Sequence, residues 1–202
     1  MSEAPVFRYG SKPKMRVEIP PAWIGCQAEL FLLEPCHVTE RYVAWLNEPA
    51  INRFLESRFC AHTVESTRAF VAALLDSPDN LFLGIRYRPG EDAGKGDHVG
   101  NIKLGPINWQ HRTGEVGLLL GDRAVWGQGV ASTSIRLLCE IARMPLRLRK
   151  ITAGCYASHI ASRRAFERAG FALEGIRKEQ FLLDGRPEDA VLLGRRLEEP
   201  LQ

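Results

Sequence analysis

The run Leu118-Leu-Leu-Gly-Asp-Arg-Ala-Val-Trp-Gly-Gln-Gly-Val-Ala131 constrains this chain more than any other segment. An apolar strand pattern enters a short loop carrying Gly127 and Gly129. The loop opens directly into a helix on which Ile135, Leu138, Ile141 and Ala142 recur at helical spacing. Glycines let backbone N–H groups approach a ligand, and a helix start adds unpaired donors and partial positive charge. Together these suit a phosphate or pyrophosphate. A Walker A run is absent. A Rossmann fingerprint fails because Ser132 stands in place of the third glycine, and Arg149 and Lys150 occupy the place of the acid expected about 20 residues on. Taken alone, the two glycines also fit a tight strand-to-helix connection with no ligand.

The rest of the chain alternates in a way that predicts a mixed α/β layer fold. Strand patterns fall at 30–33, 81–87, 98–107, 115–120 and 150–156, with two more near the end that meet at the turn Asp184-Gly185. Thr39 is placed to cap a helix bearing Tyr42, Val43 and Leu46, and a short helical stretch covers 51–55. Thr63 caps a longer helix with Phe70, Val71, Leu74 and Leu75 on its apolar stripe, stopped by Ser77-Pro78-Asp79. Two further helices are predicted over 131–143 and 159–169, the second ended by Gly170.

The 202 residues suffice for one substantial core, so 22–202 reads as a single domain preceded by an irregular extension over 1–21. A net charge of +3 gives no field that would favour nucleic acid or an anionic membrane, and neither partner is expected. Cys26, Cys36, Cys60, Cys139 and Cys155 lack metal-ligand spacing, so free thiols and no metal are expected. With no signal-like start and no membrane-length apolar run, the expected location is the cytoplasm.

The run Trp126-Gly-Gln-Gly-Val-Ala131 resembles the pyrophosphate loop of GNAT acetyltransferases, Gln/Arg-x-x-Gly-x-Gly/Ala, with Gly129 and Ala131 at its two small positions. Trp126 in place of Gln or Arg is similar to the branch of the ribosomal-protein acetyltransferases RimJ and RimL. Some thirty residues on, His159-Ile-Ala-Ser162 followed by Gly170-Phe171 resembles the family's second block, Asn-x-x-Ser/Ala then Gly-Phe. The segment 181–193 looks like that branch's closing hairpin. The resemblance covers about 27–197. It implies a mostly antiparallel central sheet flanked by helices, and acetyl-CoA as cofactor. The implied cofactor contacts are Leu118, Leu119, Leu120, Trp126, Gly127, Gln128, Gly129, Val130, Ala131, Ser132, His159 and Ser162.

Moving an acetyl group from a thioester to an amine needs a base for the amine, a polarised carbonyl and a proton for the departing thiolate. Glu115 is the first candidate base, at a strand position where the family often carries a glutamate; Glu56 and His111 are weaker alternatives. Backbone N–H groups of 118–120 are candidates to meet the oxyanion, where the family's strands splay. Phe166 stands where many GNAT enzymes carry an acidic tyrosine, so the resemblance to RimL points to Ser162 near the sulfur, with Tyr156 as second choice. Arg163 and Arg164 lie at the start of the same helix, within reach of the phosphorylated adenosine end, but a solvated helix face is the better reading for at least one of them.

Acceptor specificity is assigned to the N-terminal half. Asn52, Glu56, Arg58, Asn101 and Lys103 mix with aromatics in segments similar to GNAT proteins that modify amino-sugars, so an amino-sugar or similar small amine is the expected acceptor. Ordinary helix packing with a polar rim fits the same segments. Two rivals stand beside this reading: a RimJ/RimL-like protein N-terminal acetyltransferase, and a catalytically silent acyl-CoA-binding module. A homodimer is expected from base rates alone.

Overall fold

The computed structural model describes residues 28–87, 89 and 96–197. The extension 1–21, Cys26 and most of the 89–97 turn lie outside the described residues. Strand β1 (Ala28–Leu32) leads through a 3-10 turn (Pro35–His37) to helix α1 (Glu40–Asn47). Thr39 caps α1, its hydroxyl accepting the Tyr42 N–H at 3.3 Å. Helix α2 (Pro49–Asn52) starts on a proline, whose missing N–H costs nothing at a helix start, and a 3-10 turn (Glu56–Phe59) follows it. Helix α3 (Val64–Leu75) begins at a reciprocal capping box between Thr63 and Ser66. On α3 the residues that are buried are Thr67 and Val71, while Phe70, expected on the apolar stripe, is exposed and touches Phe82 edge-on.

The remaining elements are β2 (Leu81–Tyr87), β3 (Asp97–Leu104), β4 (Thr113–Leu120), α4 (Val130–Arg143), β5 (Lys150–Tyr156), α5 (Ile160–Arg168), β6 (Ala172–Leu183) and β7 (Arg186–Arg196). Strand β3 stops three residues short of its expected end. Gly105 takes a positive φ of 146°, Pro106 has no N–H for the ladder, and the Gly105 N–H donates to the Glu115 carbonyl at 2.7 Å.

Among the described residues one seven-stranded sheet runs in the order β1-β2-β3-β4-β5-β7-β6. Every neighbouring pair is antiparallel except β4 and β5, which the α4 crossover makes parallel. That pair is short: its register runs from Thr113↔Lys150 to Glu115↔Thr152 and stops. Beyond it, β4 stays with β3 as far as Gly100↔Leu120, and β5 stays with β7 as far as Tyr156↔Ala190. The two strands therefore separate in the middle of the sheet, each held by its outer neighbour.

Alternation along the strands feeds two cores. On one face, Val116, Ile151, Ala153 and Cys155 pack with Ile135, Leu138 and Ile141 of α4 and Phe166 of α5. On the other, Phe31, Phe82 and Leu119 pack with Tyr42, Val43, Trp45 and Leu46 of α1 and Val71 of α3. Among the described residues no helix is long and apolar enough to cross a membrane. Cys36 and Cys60 are exposed free thiols, and Cys139 and Cys155 are buried ones.

Candidate functional site

The loop after β4 is braced from several sides. Asp122 accepts the Ala124 N–H at 2.9 Å and an ion pair from Arg41 of α1 at 2.5 Å. Trp126 is exposed, and its indole N–H donates to the Leu120 carbonyl at 3.0 Å, tying the loop to the end of β4. Gln128 donates to the Ala124 carbonyl at 2.6 Å and accepts from the Tyr87 hydroxyl at 2.6 Å. Gly127 and Gly129 have φ of 77° and 82°, a conformation other side chains rarely adopt. A Cβ at either meets nothing within 4 Å, so backbone conformation and not crowding sets these two positions.

The first backbone bond of α4 runs from the Thr133 N–H to the Gly129 carbonyl at 3.0 Å. The N–H groups of Gly127, Gly129, Val130, Ala131 and Ser132 have no acceptor among the described residues. Val130 and Ser132 are buried, and the Ser132 hydroxyl turns back to the Gly129 carbonyl at 3.0 Å. Five free donors at the positive end of a 14-residue helix make a fitting cradle for a pyrophosphate.

The gap between β4 and β5 leads away from this cradle. Leu118, Leu119 and Leu120 line one side, all half-buried. On the α1–α3 face its floor is almost bare. Gly117 has nothing within 4 Å of a Cβ position, and a Cβ on Gly154 would meet only the Glu115 carboxylate, at 3.9 Å. Glu115 is thus an exposed carboxylate at the closed end of a glycine-floored channel. Lys103 is the cross-strand neighbour of Gly117, and Asn101 that of Leu119, on the same face. The Asn101 side chain is buried, with its Oδ1 on His98 Nε2 at 3.0 Å and its amide nitrogen unpartnered.

At the open end stands a cluster that joins distant parts of the chain. The Tyr156 hydroxyl donates to Glu56 Oε1 at 2.5 Å and accepts from Arg58 Nη1 at 2.9 Å. Arg58 also donates to the Leu55 and Leu182 carbonyls at 2.8 and 3.0 Å, and lies 3.5 Å from Glu56. The Phe181 ring stacks on Tyr156 at 4.2 Å, and Phe54 stacks on His159 at 4.1 Å. Burial, then the bond to Glu56, hold the Tyr156 phenol above its ordinary range, partly opposed by Arg58. Burial also holds the His159 imidazole below its ordinary value, so it is neutral at neutral pH.

The other expected residues fall in different places. Asn52 is buried, and its amide donates to the Leu46 carbonyl at 2.7 Å, which makes it a joint between α1 and α2. His111 lies in the exposed β3–β4 connection, its N–H on Asn108, beyond the closed end of the gap. Ser162 lies on α5 beside Cys155, and its hydroxyl is one of the contacts that offset the burial raising that thiol. Phe166 is buried edge-on against Phe171 at 5.0 Å. Arg163 pairs with Glu167 at 2.8 Å, and Arg164 is exposed. A separate depression of about 740 Å³, lined by Glu140, Arg143, Glu174 and Arg195, sits at the opposite end of the sheet and holds none of the expected residues.

Sequence reasoning missed Phe54 and Phe181, and the bracing of the loop by Arg41. No local spacing links position 54 to 156 or 181; the long β6–β7 hairpin brings them together.

Comparison with known proteins agrees with this geometry. The sequence model of the acetyltransferase (GNAT) domain family matches residues 30–172. The probable N-acetyltransferase YjcK of Bacillus subtilis (strain 168) is 34% identical over 82 residues, which are 41% of this chain and 45% of that protein. The chain thus spans about half the length of that relative. The microcin C7 self-immunity acetyltransferase MccE, solved with acetyl-CoA and AMP, superposes with a TM-score of 0.70 at 18% identity, over 84% of this chain and 92% of that one. The spermidine N-acetyltransferase of Vibrio cholerae, solved with CoA and spermine, gives 0.65 at 19%, over 85% and 96%. At these identities the two structures establish a shared fold.

Proposed function

This chain belongs to the GNAT acetyltransferase family, and we propose that it takes its acyl group from acetyl-CoA and carries it to the primary amine of a small molecule by direct attack in a ternary complex. One observation carries the proposal: the five unpartnered N–H groups at the head of α4 stand at the mouth of the gap left where β4 and β5 part.

In this reading Gly127, Gly129, Val130, Ala131 and Ser132 hold the pyrophosphate through their backbone, with Trp126 and Gln128 bracing the loop. The Glu115 carbonyl and the Gly121 N–H bond towards β3, so alternation turns the N–H groups of Leu118 and Leu120 to the gap, where they receive the carbonyl oxygen as charge develops on it. Glu115 takes the proton of the amine, directly or through water. Ser162 and His159 contact the cofactor from α5. Holding both substrates in one channel makes a covalent enzyme intermediate unnecessary.

Glu56, Arg58, Asn101 and Lys103 remain as acceptor contacts, whereas the amide of Asn52 is committed to Leu46. Amino-sugars gain no support from the relatives above, one of which was solved with spermine, so the proposed acceptor is the broader class of small primary amines.

The test is acetyl-CoA consumption against polyamines, amino-sugars, nucleotide amino-sugars, aminoglycosides and N-terminal peptides. Turnover of at least one small amine is expected. Turnover of peptides alone would favour the RimJ/RimL-like alternative, and acetyl-CoA binding without any turnover would favour the silent module.

A further inference from the structure

The family's usual tyrosine has become Phe166, and its ring is packed in the core with no proton to give. Ser162 is turned to the α4–α5 side of the sheet, against the Cys155 thiol. A third group, a hydroxyl, lies on a strand that flanks the gap itself. Pairing of β4 with β5 ends at Glu115↔Thr152, and four residues further on each strand come Leu119 and Tyr156. Tyr156 therefore flanks the gap at the height of the backbone groups assigned to the carbonyl oxygen. Because Cys155 faces α4 and α5, strand alternation turns Tyr156 to the glycine-floored side.

We infer that Tyr156 is the catalytic residue that protonates the departing thiolate, with Glu56 and Arg58 as its positioning residues. This rests on the acetyltransferase reading above and supplies the acid that it lacks. The amine nitrogen bonds to the carbonyl carbon, and the carbon–sulfur bond breaks with its electron pair on sulfur. Rotation about its C–O bond turns the Tyr156 hydrogen from Glu56 to the sulfur, and that proton leaves a free thiol. The phenolate left behind faces Arg58 Nη1, 2.9 Å away, which stabilises it. Glu56 is bonded to the phenol at 2.5 Å and its side chain is 64% exposed, so it connects the oxygen to solvent. A proton returns by that route, balancing the one that the amine gave up. Stacking on Phe181 and the two polar bonds hold the ring in a single orientation, as proton transfer requires.

The test uses the full chain with its best amine from the screen, together with Tyr156→Phe, Glu56→Gln and 13Cζ-labelled tyrosine. Tyr156→Phe keeps the ring and its stacking. It is expected to lower kcat by about 100-fold, the scale of a lost general acid, with acetyl-CoA affinity within about twofold of wild type. The wild-type fall of kcat at high pH should disappear in that variant, and Glu56→Gln should move the same limb. Addition of CoA should shift the Tyr156 Cζ resonance. A Tyr156→Phe enzyme with wild-type kcat and pH profile, or a resonance indifferent to CoA, would overturn the assignment. So would a loss confined to the KM of the amine. Failure of the wild-type chain to bind acetyl-CoA would instead strike the acetyltransferase reading on which the assignment rests.

Discussion

The indole of Trp45 lies flat against the backbone of Gly121, in the space that a Cβ at position 121 would occupy. Trp45 belongs to α1, and Gly121 opens the loop proposed to hold the pyrophosphate, with its N–H on the Val99 carbonyl at 2.9 Å. The two halves of the molecule, one expected to hold the amine and one the cofactor, are thus packed together at the loop itself. Gly121→Ala must displace a buried ring, so a loss of about 1–3 kcal/mol of stability is expected. Chemical denaturation measures it, and acetyl-CoA affinity should weaken in parallel. An unchanged midpoint would show that α1 does not support the loop.

Glu115→Gln removes the proposed base and keeps the shape of the channel floor. At pH 7 kcat should fall about 100-fold, with less loss at high pH where the amine is already deprotonated. Acetyl-CoA affinity should stay within about twofold, because the cradle lies at the other end of the gap. Wild-type turnover would take Glu115 out of the mechanism.

Acid should destabilise the fold through histidine. Burial pushes the His98 imidazole below its ordinary value, against weaker opposite pulls from Asn101 and the Gly100 carbonyl, and burial does the same at His159. The unfolded chain therefore binds protons that the folded chain refuses, and stability falls as pH drops below about 6.5. Melting temperature between pH 7.5 and 5.5 reports this, and the decline should be smaller in His98→Gln. Equal declines in both proteins would remove His98 from the effect.

Much of the fold was legible because its signals are local. The periodicity of 150–156 marks β5, the Thr39 and Thr63 caps begin α1 and α3, and Asp184-Gly185 turns the last hairpin. The two loop glycines were legible because their backbone conformation requires glycine. What local signals missed was pairing between distant segments. The parting of β4 from β5 was expected from the family resemblance alone, since it depends on the pairing of each with its outer neighbour, and the joining of Glu56, Arg58 and Tyr156 leaves no trace in local spacing. Asn52 was misleading for a related reason: a polar side chain near a helix break can serve the break itself.

The central claim is that acetyl-CoA is held by the backbone at the head of α4, and isothermal calorimetry tests it most directly. Gly129→Ala and Gly129→Glu both force a side chain onto a backbone at φ 82°, but only the second puts a negative charge at the cradle. The wild-type chain should bind acetyl-CoA, Gly129→Ala should bind it more weakly, and Gly129→Glu, folded by circular dichroism, should give no binding heat. Wild-type affinity in Gly129→Glu, or no binding by the unmodified chain, would contradict the account.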